Sequence, residues 1–305
     1  MRRVLIVVVL IVAAAVLGLW RTHGARGLSE AMGMSRNDPQ GEARDEVHKS
    51  FQLEPGARLE VQGINGAVDI QTSDTKTVEV YVLRTANSKD ALARREVIIE
   101  QTVNGLLVRC EQSRKLGFWE RLWGHNPNEQ ISIKAPRQIA LSLKDVNGRV
   151  TTGDIDGPLE AKGINGRVQL GQTSGSAEIS GINGGISVGL RQLGERGARL
   201  SSVNGNIELR LTNDLNADLV ARGMNGRLSS EIPAVTVDSD EHGSRYSAHI
   251  GNGGAPITIS GINGNVRLTA AESATSSASS DKKPGVANEK SEKSAADSKS
   301  AKREQ

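Results

Sequence analysis

The strongest candidate for a catalytic pair is Asp154 and Asp156, two carboxylates in the segment Gly-Asp-Ile-Asp-Gly at 153–157. Residues at i and i+2 of an extended chain project to the same side. Paired carboxylates of this kind are what general acid–base hydrolysis of a polysaccharide requires. The same spacing also fits two solvated acids in a turn, and we favour that interpretation. The repeats contain no nucleophile elbow, phosphate loop or calcium nonapeptide.

The other reactive side chains are scattered. His242 and His249 lie seven residues apart, and we do not expect them to hold a metal. Cys110 is the single cysteine, which excludes an internal disulfide framework and a cysteine-rich metal site. It alternates with Val108 on a predicted strand and is expected to be a small core residue. We therefore predict no catalytic residue, no metal and no cofactor, and a protein that is not an enzyme.

The composition limits both the core and the partners. The 305 residues include 34 Gly but only three Trp, two Tyr and two Phe, which argues against a core of bulky rings. Lys and Arg number 38 against 35 Asp and Glu, for a formal net charge of +3. Because this charge is small and interspersed, we predict no nucleic-acid partner.

Residues 4–20 form an uncharged apolar run between Arg3 and Arg21. Its 17 residues are at the short end of what spans a bilayer as a helix. We predict that residues 1–27 are a signal anchor and transmembrane helix, with a cleaved signal peptide as the alternative. A single-pass protein of the cell membrane would then hold the rest of the chain on the extracytoplasmic side.

Two polar segments flank the middle of the chain. Residues 28–50 contain Gly33, Pro39 and Gly41, and are predicted to be a linker. Residues 271–305 contain no aromatic residue and one branched apolar residue, Val286. Such a composition cannot bury enough surface to offset the entropy of ordering, so a disordered tail is predicted.

Asn-Gly pairs recur through residues 51–270. The spacings from Asn147 onward are 18, 18, 21, 21 and 38 residues, and the last is about twice the unit. Such periods indicate a repeat architecture. We predict that the following residues form structural turns: Asn65, Gly66, Asn147, Gly148, Asn165, Gly166, Asn183, Gly184, Asn204, Gly205, Asn225, Gly226, Asn263 and Gly264. A further pair at Asn104 belongs to a degenerate copy.

Apolar residues alternate on both sides of each Asn-Gly, which predicts strands. A two-residue hairpin at Asn165-Gly166 would place Ile164 on one face with Lys162 and Arg167. A corner that does not reverse the chain keeps Ile164 and Val168 inside. Asn and Gly both tolerate the left-handed conformation such a corner needs. We therefore predict an all-β fold, a single β-solenoid of 18–21-residue coils with a hydrogen-bonded Asn ladder. An antiparallel repeat or prism is the alternative.

Two segments interrupt the repeat. An insertion at 113–130 contains Phe118, Trp119 and Trp123, three of the seven aromatic residues. Its i,i+4 spacings fit a short amphipathic helix, which either caps the side of the solenoid or contacts a partner or a membrane surface. Residues 231–256 are expected to form an irregular or longer coil.

These repeats resemble the putative adhesin family of bacterial β-strand repeat proteins, of the head GIN domain type. The resemblance covers residues 51–270 and departs from the family at the 113–130 insertion and the tail. It rests on the Gly-Ile-Asn copies Gly63–Asn65, Gly163–Asn165, Gly181–Asn183 and Gly261–Asn263, on 131–136, and on 250–254. It implies a β-solenoid on an exported, membrane-tethered protein, and it brings no catalytic residues.

The sequence therefore predicts a non-enzymatic binding or scaffold module of the cell envelope. Its partner would be an envelope protein or a glycan bound on a solenoid face, with the membrane contacted through residues 4–20. One alternative is an envelope-stress or signalling accessory protein with a membrane partner. A carbohydrate-active β-helix enzyme is the third.

Overall fold

The structure is a computed structural model that describes residues 43–113, 127–240 and 245–271. About 70% of it is strand and 2% helix, which confirms the all-β prediction. The strands in the first half are β1 Ala43–Gln52, β2 Arg58–Gln62, β3 Gly66–Ser73, β4 Thr77–Ala86, β5 Arg95–Thr102, β6 Gly105–Gln112, β7 Asn128–Pro136, β8 Ala140–Lys144, β9 Val150–Thr152 and β10 Leu159–Lys162, with one short helix, α1 Lys89–Ala93. The strands in the second half are β11 Val168–Asn183, β12 Ile186–Asn204, β13 Ile207–Leu211, β14 Ala217–Asn225, β15 Leu228–Ser230, β16 Val237–Ser239, β17 Arg245–Ile250, β18 Ala255–Asn263 and β19 Val266–Ala270.

Equivalent strands of successive repeats pair with each other in parallel and in register. Before the Asn-Gly, Leu159 of β10 lies between Leu141 of β8 and Ala177 of β11. After it, Val168 of β11 lies between Val150 of β9 and Ile186 of β12. The strands flanking these Asn-Gly pairs therefore bond to neighbouring repeats and not to each other.

Two ladders of strands result, and they meet along the row of Asn-Gly corners. The first ladder has the order β5, β6, β2, β8, β10, the second half of β11, the second half of β12, β18, β14, β17, β16. The second ladder has the order β1, β4, β7, β3, β9, the first half of β11, the first half of β12, β13, β19, β15.

Alternate residues of both ladders point inward and form one core of branched aliphatic side chains. Val61, Leu143 and Ile179 of the first ladder are fully buried, as is Val168 of the second. Cys110 lies in the same core, and burial raises the pKa of its thiol to about 12. It is thus a small core residue, as the sequence predicted, and not an activated thiolate.

Five of the seven corners contain two glycines with positive φ. The sequence predicts the left-handed conformation at the Asn-Gly pair itself, and for the Asn this prediction is wrong. Gly163 has φ +65° and Gly166 has φ +154°, but no corner Asn has positive φ among the described residues. The left-handed residue therefore lies two positions before the Asn, and it is Gly at these five corners. A Cβ on Gly166 would lie 2.0 Å from the carbonyl oxygen of Gly148, so stacking itself requires glycine there.

The strands of the last repeats do not stack in sequence order. β18 lies between β12 and β14, and β19 lies between β13 and β15. Residues 231–256, predicted to be an irregular or longer coil, contain β16 and β17, which pair antiparallel. β17 also pairs antiparallel with β14. This pair covers the edge of β14 that a further repeat would otherwise have to cover.

A buried ion pair lies at the other end of the row of corners, next to Asn65. Glu129 is 0% exposed, and its Oε1 lies 2.6 Å from Nε of Arg95. Its Oε2 accepts a hydrogen bond of 2.7 Å from the backbone N–H of Asn65. In inner repeats the equivalent N–H of Asn147 bonds to the carbonyl of Ile64. Glu129 therefore replaces the backbone acceptor that a preceding repeat would supply.

Two further predictions differ from the structure. The pair Asn104-Gly105 belongs to a hairpin, because Thr102 of β5 pairs antiparallel with Gly105 of β6. β1 begins at Ala43, so residues 43–50 of the predicted linker form a strand. This strand pairs with β4, and Val47 packs against the core.

No helix in the described ranges is long and apolar enough to cross a membrane. The predicted transmembrane segment 4–20 and the tail at 272–305 lie outside the described residues.

Candidate functional site

The corner asparagines form one continuous ladder of side-chain hydrogen bonds. Each Nδ2 donates to the Oδ1 of the next Asn at 3.1 Å, in the order Asn225, Asn263, Asn204, Asn183, Asn165, Asn147, Asn65. Asn65 then donates to the carbonyl of Pro127, also at 3.1 Å. Because these amides bond one another, the ladder serves stacking and offers few free groups to a ligand.

Asp154 and Asp156 are engaged by different partners. Asp154 Oδ1 accepts a hydrogen bond of 2.8 Å from the backbone N–H of Gln172. Asp156 pairs with Arg191. Each carboxylate therefore binds a residue of a later repeat. The two carboxylates do not share a partner as a catalytic pair would.

His249 of β17 and Asp218 of β14 form a second contact between a basic and an acidic side chain. Nδ1 of His249 lies 2.7 Å from Oδ1 of Asp218, and Gly254 N–H donates to Asp218 Oδ2 at 3.0 Å. The backbone hydrogen bond from Gly254 and the bond to His249 lower the pKa of Asp218. This contact anchors the turn at 251–254. His242 lies outside the described residues, and no cluster suited to a metal ion is present within them.

The outer surface of the first ladder carries a network of opposite charges. Glu160 accepts bonds from Arg58 at 2.8 Å and Ser142 at 2.9 Å, and Lys162 lies 3.0 Å away. Burial alone would raise the pKa of Glu160, but the hydrogen bonds from Lys162 and Ser142 outweigh it and lower the pKa to about 2. The charges of this surface therefore mostly satisfy one another.

The outer surface of the second ladder has a groove of about 600 Å³. Two columns of side chains line it, one in the second position after the corner Asn and one in the fourth. The first column is Arg167, Gly185, Asn206 and Asn265, and the second is Gln169, Ser187, Glu208 and Arg267. These columns cross four adjacent strands.

Gly185 creates the depression. Its neighbour in the column, Arg167, has a long side chain, whereas Gly185 has none. A Cβ on Gly185 would have its nearest heavy atom, the carbonyl oxygen of Asn206, at 3.8 Å. No side chain therefore fills the surface above Gly185, next to the exposed Arg167.

Only some of the polar groups in the groove make hydrogen bonds within the described part of the protein. The Oδ1 of Asn206 accepts from the N–H of Asn265 at 3.0 Å, and the Oδ1 of Asn265 accepts from the N–H of Arg227 at 3.1 Å. Their Nδ2 groups make no hydrogen bond to a described residue. Ser187 donates to Glu208 at 2.8 Å, which leaves acceptor positions on the carboxylate.

Arg167 is the cation of the groove that no described residue engages. No hydrogen bond or ion pair from the described part of the chain reaches its guanidinium, and the residue is exposed. Arg267, across the groove, pairs with Glu231 at 3.1 Å on an exposed surface. Arg149 and Arg227 continue the first column beyond either end. The described residues of the site therefore present guanidinium and amide donors together with one carboxylate acceptor.

Sequence reasoning missed this groove. The signal available was the residue after each Asn-Gly, which in chain order from Asn147 is Arg149, Arg167, Gly185, Asn206, Arg227 and Asn265. The aromatic residues predicted as a partner site, Phe118, Trp119 and Trp123, lie outside the described residues, so that site stays a prediction.

No protein-family model matches the chain, and no curated protein matches its sequence, so the head GIN resemblance stays a prediction. A putative cell adhesion protein from Clostridium sporogenes is 11% identical over 74% of this chain and 99% of its own, with a TM-score of 0.39. A putative adhesin from Bacteroides fragilis is 10% identical over 73% and 97%, with a TM-score of 0.33. A putative lipid binding protein from Parabacteroides distasonis is 10% identical over 73% and 96%, with a TM-score of 0.21. At these values nothing about the function of this chain follows from the likeness.

Proposed function

We propose that the chain is a non-enzymatic binding module of the cell envelope. In this proposal residues 51–270 form a β-solenoid whose second ladder presents a polar groove to a glycan or protein, and residues 4–20 tether it to the membrane. In-register parallel pairing of repeats 18 residues apart supports the solenoid. The uncharged apolar run supports the tether.

The binding role rests on one observation: the groove contains hydrogen-bonding groups that have no partner among the described residues. The polar groups along the row of corners have partners, as Glu129 and the corner asparagines do. Arg167 and the Nδ2 groups of Asn206 and Asn265 are left without one by the described residues. A rigid surface with preorganised free donors loses little entropy when it binds.

The arrangement of charges favours binding over catalysis. Asp154, Asp156 and Asp218 are each engaged by backbone or side-chain donors that hold the carboxylate in place. Glu208 accepts from Ser187, and the described residues that line the groove include no second carboxylate. General acid–base hydrolysis of a glycan needs two carboxyl groups on opposite sides of the scissile bond.

The test is saturable co-sedimentation of the purified full chain with isolated cell-envelope fragments. The expected result is a binding curve that saturates and is lost when the chain is unfolded beforehand. A second arm measures release of reducing sugar from the same fragments. Sedimentation no greater than that of the unfolded chain would contradict the binding role, and steady sugar release would contradict the non-enzymatic one.

A further inference from the structure

We propose that the groove on the second ladder binds a carboxylated polysaccharide, with Arg167 as the residue that contacts a carboxylate of the ligand. This inference rests on the proposed function and names the ligand class of that site. Guanidinium binds carboxylate through two parallel hydrogen bonds, and these charge-assisted bonds are stronger than neutral ones. An exposed guanidinium that no described residue engages is available for that contact.

The size of the groove indicates an extended ligand and not a single small anion. The lining residues come from four adjacent strands, and strands lie about 4.8 Å apart, so the columns extend over roughly 14 Å. Arg149 and Arg227 continue the first column by one further strand at either end. Cationic groups therefore recur along a line that a polymer with repeated carboxylates can follow.

The centre of the groove suits hydroxyl groups. The free Nδ2 groups of Asn206 and Asn265 are donors, and Glu208 is an acceptor that Ser187 already orients. A sugar hydroxyl both donates and accepts, so it can bond to amide and carboxylate groups placed side by side. Together with Arg167, this set matches a sugar ring that carries hydroxyls and a carboxylate.

Two other ligand classes fit the groove less well. None of the described residues that line the groove is aromatic, so they offer no ring on which bases stack, as bases do in single-stranded nucleic-acid sites. An extended peptide gains affinity from main-chain hydrogen bonds at an open sheet edge. Here the groove lies on a sheet face, where the backbones of β11, β12 and β13 already pair with each other.

The experiment measures binding of oligogalacturonate to the purified full chain by titration calorimetry at low and moderate salt. The variants are Arg167→Ala, Arg167→Lys and Gly185→Glu, which places a like charge in the groove. Gly185→Ala tests the backbone position alone, since a Cβ there has room. Arg199→Ala is the matched control, because Arg199 is an exposed arginine of the first ladder that no described residue engages.

Loss of one charge-assisted contact raises Kd about tenfold, so Arg167→Ala is expected to weaken binding by that factor or more. Arg167→Lys should be intermediate, because a point charge replaces the bidentate fork. Gly185→Glu should abolish binding, and Gly185→Ala and Arg199→Ala should leave Kd unchanged. All variants are compared by thermal unfolding, so that a loss of folding is separated from a loss of contact.

Three results would overturn the proposal. The first is no binding of oligogalacturonate while the chain still co-sediments with envelope fragments, an outcome that leaves the proposed function standing. The second is an equal loss from Arg199→Ala, which would mean diffuse attraction to a polyanion. The third is equal affinity for poly-L-glutamate or for the carboxyl-reduced, neutral oligosaccharide, which would assign the groove to a peptide or to uncharged sugars.

Discussion

The Nδ2 of Asn165 donates to the Oδ1 of Asn147, 18 residues earlier, at 3.1 Å. The two residues occupy the same place in consecutive repeats and also pair through their backbones. The same bond joins each neighbouring pair of corner asparagines along the stack. This relationship ties the register of the two ladders together, because every strand on either side of a corner is aligned by it.

Asn165→Ala should destabilise the chain more than Asn225→Ala does. Asn165 takes part in two ladder bonds and Asn225 in one. A hydrogen bond contributes about 0.5–1.5 kcal/mol net, so the expected losses are about 1–3 and 0.5–1.5 kcal/mol. Urea unfolding of the two full-length variants measures both values. Equal effects would mean that the side-chain ladder adds nothing to backbone pairing.

Gly166→Ala should be far more damaging than Gly185→Ala. At Gly166 the new Cβ would meet the Gly148 carbonyl oxygen at 2.0 Å, with φ at +154°. Backbone strain and overpacking together predict a loss of roughly 2–6 kcal/mol. Gly185 lacks both features, so its replacement should stay within about 0.5 kcal/mol. Thermal unfolding of both variants checks the difference, and similar midpoints would refute the stacking explanation of the corner glycines.

Asp145→Gly should stabilise the chain. Asp145 has φ +52°, whereas the equivalent corner position holds glycine at Gly63, Gly163 and Gly181, with φ between +65° and +70°. A left-handed conformation costs an L-residue about 1–2 kcal/mol, part of which glycine returns through unfolded-state entropy. The expected net gain is about 0.5–1 kcal/mol in urea unfolding. Asp145→Ala, which keeps a Cβ, should not show this gain, and a gain there would contradict the conformational cause.

Glu160→Gln should reduce the acid sensitivity of folding. The pKa of Glu160 falls from 4.5 to about 2 in the folded chain, so its contribution is present above pH 4.5 and is lost as the pH falls toward 2. The wild-type chain should therefore lose more stability than the variant over this interval. Denaturant unfolding from pH 5 to pH 2 measures it. Glu195→Gln, at an exposed residue that no described residue engages, is the control. A parallel pH dependence in wild type and Glu160→Gln would show that the network does not act on folding.

Much of the repeat could be predicted from the sequence, for a physical reason. The alternation of apolar residues around Asn165-Gly166 is incompatible with a hairpin and compatible with parallel pairing to the next copy, and the structure has that pairing. At Asn104-Gly105 the alternation is weaker, and there the chain does form a hairpin. The alternation of apolar residues therefore predicts the strand pairing where one face of the strand must be buried.

The order of the last repeats could not be predicted. A spacing of 38 residues between Asn225 and Asn263 says that a copy is absent between them, but not that Asn263 stacks on Asn204. The groove depends on this order, since Asn265 reaches Asn206 only because β18 and β19 are inserted. Local periodicity contains no information about such a rearrangement. The candidate site therefore appeared only in three dimensions.

The most direct test of the carboxylated ligand is arginine labelling with phenylglyoxal in the presence and absence of oligogalacturonate, read by peptide mass spectrometry. Arg167 and Arg199 are both exposed and have no described partner, so they should react alike in the free chain. We predict that the ligand protects Arg167, on the second ladder, and leaves Arg199, on the first ladder, fully reactive. Unchanged labelling of Arg167, or equal protection of Arg199, would contradict the assignment of the groove.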